Sequence, residues 1–275
     1  MEQGVSQMPR PPAQRGMYVL PSLFTAGNIA IGYYIIMQSI RGSMLGDSAA
    51  FDYAAMGVAV AILFDGLDGR IARMTNTSSA FGRELDSLAD VITFGVAPSL
   101  LAYLWGVRLV VPSGYPIIHA RLLHFGVVVC FLFLICGACR LARFNISLNP
   151  QPRNPGRPDR KYFVGMPIPA GAGVLAAVVH FEGGSPVHDL WASMLWLGLV
   201  AFTGFLMVSS WRFWSGKEID MGARKPGRFL VLLVVIIGVV FEWSKVALLV
   251  LALGYLVSGV MARLAYSWKR RFSTV

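Results

Sequence analysis

Eight apolar runs punctuate the chain, near residues 19–40, 51–69, 88–107, 117–139, 163–180, 190–210, 229–242 and 246–265. Most approach the roughly 20 apolar residues that carry a helix across the ~30 Å hydrocarbon core of a bilayer; the seventh is short. The pattern predicts an all-α, polytopic membrane bundle of about eight transmembrane helices. Residues 1–16 are polar and Pro-rich and read as a flexible cytoplasmic tail without a cleavable signal; residues 17–268 form one transmembrane domain, and residues 269–275 a basic cytoplasmic tail.

Composition agrees. Of the 275 residues 56% are hydrophobic and only 14% charged, with a mean hydropathy of +0.61; soluble domains carry about a quarter charged residues. The net charge of +10 raises nucleic acid as a partner, and the positions of the cations exclude it. Twenty of the 24 Lys and Arg fall in alternate connections, and only Arg41, Arg108, Arg121 and Lys245 fall in the others. By the positive-inside rule this bias predicts both termini in the cytoplasm. Cys130, Cys136 and Cys139 all lie in the fourth run and read as small packing residues.

Carboxylates interrupt this apolar pattern at one place. The second run ends on Asp65 and Asp68, and the third opens with Asp86 and Asp90. Spacings of three and four put each pair on one helical face. The short linker makes the two helices antiparallel neighbours, so four carboxylates face one another at the cytoplasmic end of two spans. Ionised Asp in a span costs on the order of 2.5–3.5 kcal/mol at the helix centre, and like charges add to it. Hard oxygen donors at this density suit Mg²⁺ or Mn²⁺, and two ions among four carboxylates give the pairing used in phosphoryl chemistry. Neutralisation by Arg70, Arg73 and Arg83 is the structural alternative. Gly66, Gly69 and Gly82, each costing about 1 kcal/mol in a helix relative to Ala, favour a pocket whose bare backbone admits a ligand.

From Asp65 to Asp90 the chain reads DxxDGxxAR, eight residues, then GxxxDxxxD. This string resembles the full signature of the CDP-alcohol phosphotransferase family. Three further stretches, Leu20–Asn28, Cys139–Asn145 and Phe163–Ala170, resemble its branch of bacterial and archaeal CDP-diacylglycerol–serine O-phosphatidyltransferases. The resemblance implies that Asp65, Asp68, Asp86 and Asp90 ligate two divalent ions, with Asp90 also the base. It implies that Asn28, Gly69, Arg73 and Ser79 line the CDP-lipid site. The expected substrates are CDP-diacylglycerol and L-serine, the products phosphatidylserine and CMP, and the expected assembly a homodimer among membrane lipids. Glycerol 3-phosphate and inositol phosphate are the alternative acceptors, and an intramembrane prenyltransferase or an ion transporter the remote readings.

The acceptor must enter from the water side, and an amino-acid carboxylate needs a cation. Arg140 and Arg143, three apart, can share one face, and Asn145 adds amide groups, which makes these three the acceptor-binding expectation. The site is thereby placed at the cytoplasmic face of the cell's inner membrane. His119, His124, His180 and His188 show no metal-ligand spacing and read as packing or interface groups.

Overall fold

A computed structural model describes residues 19–75, 80–111, 116–148, 162–214 and 243–272. The N-terminal tail, the seventh apolar run, Ser79 and the last three residues lie outside the described residues, as do the side chains of Asp68 and Arg73 and the surroundings of Gly69. The helices are α1 (Val19–Leu45), α2 (Ser48–Thr75), α3 (Ala80–Asp90), α4 (Ala97–Gly106), α5 (Pro116–Leu148), α6 (Ile168–Phe181), α7 (Leu190–Val208) and α8 (Ser244–Phe272). A π-helical stretch, Val91–Val96, joins α3 to α4. Six of these stretches are long and apolar enough to cross a membrane, the third running from Phe81 through the π-helical stretch to Gly106. The protein is an all-α, polytopic membrane bundle. Helices alone satisfy every backbone group within one segment, which is what lipid demands.

α1 lies along α2 and α4, α2 against α6, α5 against α7, and α6 against α8. The core between them is aromatic and aliphatic: Phe51, Phe94, Phe133, Met166 and Leu206 are fully enclosed. Glycines let helices approach closely at particular points. A Cβ on Gly32 of α1 would lie 2.7 Å from Thr93 Oγ1, and one on Gly95 would lie 2.8 Å from Leu134 Cδ1. α8 is the least enclosed span, with 11% of its apolar window buried.

The fifth apolar run differs from its sequence expectation. Only Ile168–Phe181 is helical, about 21 Å at 1.5 Å per residue, short of the hydrocarbon core. Tyr162–Val164 instead forms a strand, β1, paired antiparallel with β2, Arg212–Trp214, in the register Phe163 to Phe213. Pro167 explains the break, because the residue before a proline is driven out of the helical region. Gly165, at φ +79°, makes the turn, and its N–H donates to Trp211 O at 2.8 Å. The ribbon thus ties the start of α6 to the end of α7, beside the C-terminal part of α5.

Candidate metal and phosphotransfer site

Asp65 sits near the end of the second apolar span (Ser48–Leu67), ten residues before α2 stops, and Asp86 and Asp90 sit on α3. One carboxylate oxygen from each lies within 4.8 Å of the other two. Three of the four predicted carboxylates therefore come together, and α3's spacing of four residues aligns its pair. Three carboxylates so placed repel by roughly 3 kcal/mol per pair at an effective dielectric constant of about 20. All-oxygen donors at this separation fit a hard divalent cation, so the residues present suit the metal that the sequence implies.

The turn after Asp90 is where the helix widens into its π-helical stretch. π-helical turns are rare and concentrate at functional sites. Here Thr93 Oγ1 donates to the backbone oxygen of Asn28 at 3.0 Å, holding α1 against that turn. Asn28 is 3% exposed, and its side-chain oxygen has no hydrogen-bond partner among the described residues. A buried amide oxygen without a donor is costly, and its place beside the Asp90 turn fits the ligand-lining position expected of it.

Beyond these, α5 reaches the same region. Asn145 Nδ2 donates to Ser87 Oγ at 2.8 Å, and Ser87 Oγ donates to Arg83 O at 3.0 Å. Ser87 lies between the two aspartates of α3, so Asn145 is tied to the acidic helix itself. Arg140 is 6% exposed, carries its guanidinium 5.1 Å from the centre of the Phe144 ring, and interacts electrostatically with Asp90 and Tyr255. Arg143 behaves otherwise. Its Nη1 donates to Val208 O at 3.2 Å, and its Nη2 to Ser209 O at 3.2 Å and Val164 O at 3.4 Å. These carbonyls belong to the end of α7 and the end of β1, and a guanidinium fork is the group that can serve several of them at once.

Sequence reasoning missed Ser87, Thr93 and Tyr255. Ser87 and Thr93 are small polar residues within a helical run and carry no spacing signal of their own. Tyr255 lies in a stretch that reads only as apolar span.

A sequence profile of CDP-alcohol phosphatidyltransferase matches residues 18–203. The CDP-diacylglycerol–serine O-phosphatidyltransferase of Helicobacter pylori is 37% identical over 245 residues, covering 89% of this chain and 91% of that protein. The enzyme of the same name from Methanocaldococcus jannaschii is 34% identical over 185 residues, 67% of this chain and 74% of its own. That of Mycobacterium tuberculosis is 35% identical over 208 residues, 73% of this chain and 63% of its own. With a match that runs from the start of the first described helix into α7, the chain belongs to the CDP-alcohol phosphatidyltransferase family.

Proposed function

We propose that this protein transfers the phosphatidyl group of CDP-diacylglycerol to the hydroxyl of L-serine, giving phosphatidylserine and CMP. The observation that carries the reading is the convergence of Asp65, Asp86 and Asp90 in a membrane bundle whose relatives bear that activity in their names.

Asp65, Asp86 and Asp90, with Asp68 on the same face of α2, would hold two divalent ions, Mg²⁺ or Mn²⁺. When bound, such ions neutralise diphosphate charge and stabilise the leaving CMP. By the family resemblance, Asn28, Gly69, Arg73 and Ser79 would contact the nucleotide. The serine oxygen forms a bond to the phosphorus attached to diacylglycerol, the bond from that phosphorus to the CMP oxygen breaks, and Asp90 takes the hydroxyl proton. A carboxylate of ordinary pKa near 4 is a weak base for a serine hydroxyl, so orientation contributes more than basicity.

Arg140 provides the cation for the amino-acid carboxylate, and Asn145, five residues further along α5, is tied to Ser87 of the acidic helix. Arg140 is enclosed, lies in the field of Asp90, and is a guanidinium suited to bidentate carboxylate binding. Arg143 supports the site by holding β1 and α7 in place. The cation bias of the connections supports a cytoplasmic site in the cell's inner membrane and both termini on that side. Assembly as a homodimer completes the reading.

The test is transfer of radiolabelled serine into chloroform-soluble lipid by the purified protein, with and without Mn²⁺ or Mg²⁺, beside Asp90→Asn. Metal-dependent product that the variant fails to make supports the reading. CMP release with glycerol 3-phosphate or inositol phosphate, and not with serine, overturns the acceptor and keeps the reaction.

A further inference from the structure

The end of the bundle remote from the acidic cluster holds a second group of reactive side chains. Asp52 lies in the second turn of α2, about 20 Å from Asp65 along that helix at 1.5 Å per residue. His180 is the penultimate residue of α6, and Ser244 is the first residue of α8. His180 Nδ1 lies 2.6 Å from Asp52 Oδ1, and His180 Nε2 lies 2.9 Å from Ser244 Oγ. The order of these bonds is directional. An ionised carboxylate only accepts, so a neutral His180 carries its hydrogen on Nδ1 and donates it to Asp52. Nε2 then offers only a lone pair, and the Ser244 hydroxyl donates to it. A serine bonded to a base that a carboxylate orients is the arrangement that makes a hydroxyl nucleophilic, and it is recognised by geometry rather than by chain order.

The surroundings supply the remaining parts. His180 is buried, whereas Ser244 is only partly buried and stands between the exposed Trp243 and Lys245, so the hydroxyl lies at the surface of the bundle. The first N–H groups of a helix have no partner within it, and those that open α8 are donors for an oxyanion forming beside Ser244 Oγ. Bare backbone brings the turn after α6 onto its neighbours: a Cβ on Gly184, at φ +72°, would lie 2.6 Å from Asp52 N, and one on Gly183 would lie 2.9 Å from Lys245 Nζ. Trp243, at the end of a span, marks the headgroup level of a membrane. The ester linkages of a lipid lie just beneath that level.

We propose that Asp52, His180 and Ser244 form a second catalytic site that hydrolyses carboxylic esters at the membrane interface, with acyl esters of lipids as the substrate class. Ser244 Oγ bonds to the carbonyl carbon while its proton passes to His180 Nε2. The bond from that carbon to the alcohol oxygen breaks, and His180 gives the proton to the departing alcohol. Water then attacks the acyl-serine and passes a proton to His180, and the carboxylic acid leaves as that proton returns to Ser244 Oγ. Asp52 is the positioning residue that holds the tautomer of the ring. No residue of the metal cluster takes part, so this site and phosphatidyl transfer are tested independently.

The test treats the purified full-length chain in detergent with a fluorophosphonate and locates the adduct by peptide mass spectrometry. Beside it, hydrolysis of p-nitrophenyl butyrate and release of hexanoate from dihexanoyl phosphatidylglycerol are measured. The expected adduct is on Ser244. Ser244→Ala is expected to lose the adduct and to lower both hydrolyses at least ~10²-fold, and Asp52→Asn, which keeps the shape but not the tautomer, to lower them by a similar factor. Ser258→Ala, at an exposed serine of the same helix, is the control and changes neither. Unmodified protein without an adduct on Ser244, or Ser244→Ala protein that hydrolyses as fast as the unmodified chain, overturns the second site and leaves phosphatidyl transfer standing. Turnover of the aryl ester without release of hexanoate overturns the lipid as substrate. The adduct is read on unmodified protein, so the outcome does not depend on either variant folding.

Discussion

Asn145 on α5 and Ser87 on α3 are 58 residues apart in sequence and 2.8 Å apart in space, joined by an amide N–H to hydroxyl bond one residue from Asp86. Two helices that enter the site from different parts of the chain are thereby fixed against each other at the acidic cluster. A net hydrogen bond is worth about 1 kcal/mol, so Asn145→Ala and Ser87→Ala are each expected to lower kcat about fivefold. The two share one interaction, and the double variant should lose little more than either single one. Steady-state kinetics on the three variants checks this; additive losses would mean that Asn145 acts on substrate independently of Ser87.

The carboxylate cluster makes a second prediction. Without divalent ions, three like charges within 4.8 Å oppose the native packing. Exhaustive chelation should abolish turnover and also lower the thermal midpoint in detergent, with Mn²⁺ or Mg²⁺ restoring both. Asp86→Asn removes one of the charges, so it should lose activity by at least ~10²-fold while its midpoint becomes less sensitive to chelation. A midpoint that ignores chelation in the unmodified protein would remove the carboxylates' role as ligands.

This cluster was legible in the sequence because it depends on local spacing: Asp86 and Asp90 share a face at four residues, and the two helices are close in sequence. Six of the eight apolar runs match described spans for the same reason, while the fifth gives too short a helix and the seventh lies outside the described residues. What stayed hidden depends on contacts across long separations. His180 finds Asp52 at 128 residues and Ser244 at 64, so a histidine without ligand spacing reads as packing until the fold is known. The β1–β2 ribbon pairs segments some 50 residues apart, and nothing local in the fifth apolar run shows that its first residues pair with Arg212–Trp214. Arg143 shares a face with Arg140 by spacing, yet its partners are carbonyls 21 to 66 residues away.

Those partners separate the two arginines experimentally. Arg143→Lys replaces a fork with a single ammonium that cannot serve Val164, Val208 and Ser209 together. Hydrogen bonds to charged groups contribute about 1.5–3 kcal/mol when protected, and less here because Arg143 is exposed. Its expected signature is a thermal midpoint lower by a few degrees with the KM for serine little changed. Arg140→Lys should do the reverse, raising the serine KM about tenfold, since a bidentate carboxylate contact is lost. A higher serine KM for Arg143→Lys at an unchanged midpoint would reassign the acceptor contact to Arg143.

The last prediction concerns the turn that follows Asp90. Gly32 lets α1 approach so closely that an added Cβ would stand 2.7 Å from Thr93 Oγ1 and 3.1 Å from Thr93 Cα. The second of these is backbone and cannot rotate away, so Gly32→Ala must push α1 from the π-helical stretch. That displacement stretches the Thr93 to Asn28 bond and moves Asn28 relative to Asp90, three residues before Thr93 in the chain. Overpacking of this kind costs about 1–3 kcal/mol. Because the strain falls on the site rather than on a distant core, kcat should drop at least about tenfold with the donor KM also raised. Gly198→Ala, in open space, should leave both constants alone. Equal behaviour of the two variants would mean that the contact between α1 and the turn does not position the site, and that Asn28 is held by something other than Thr93.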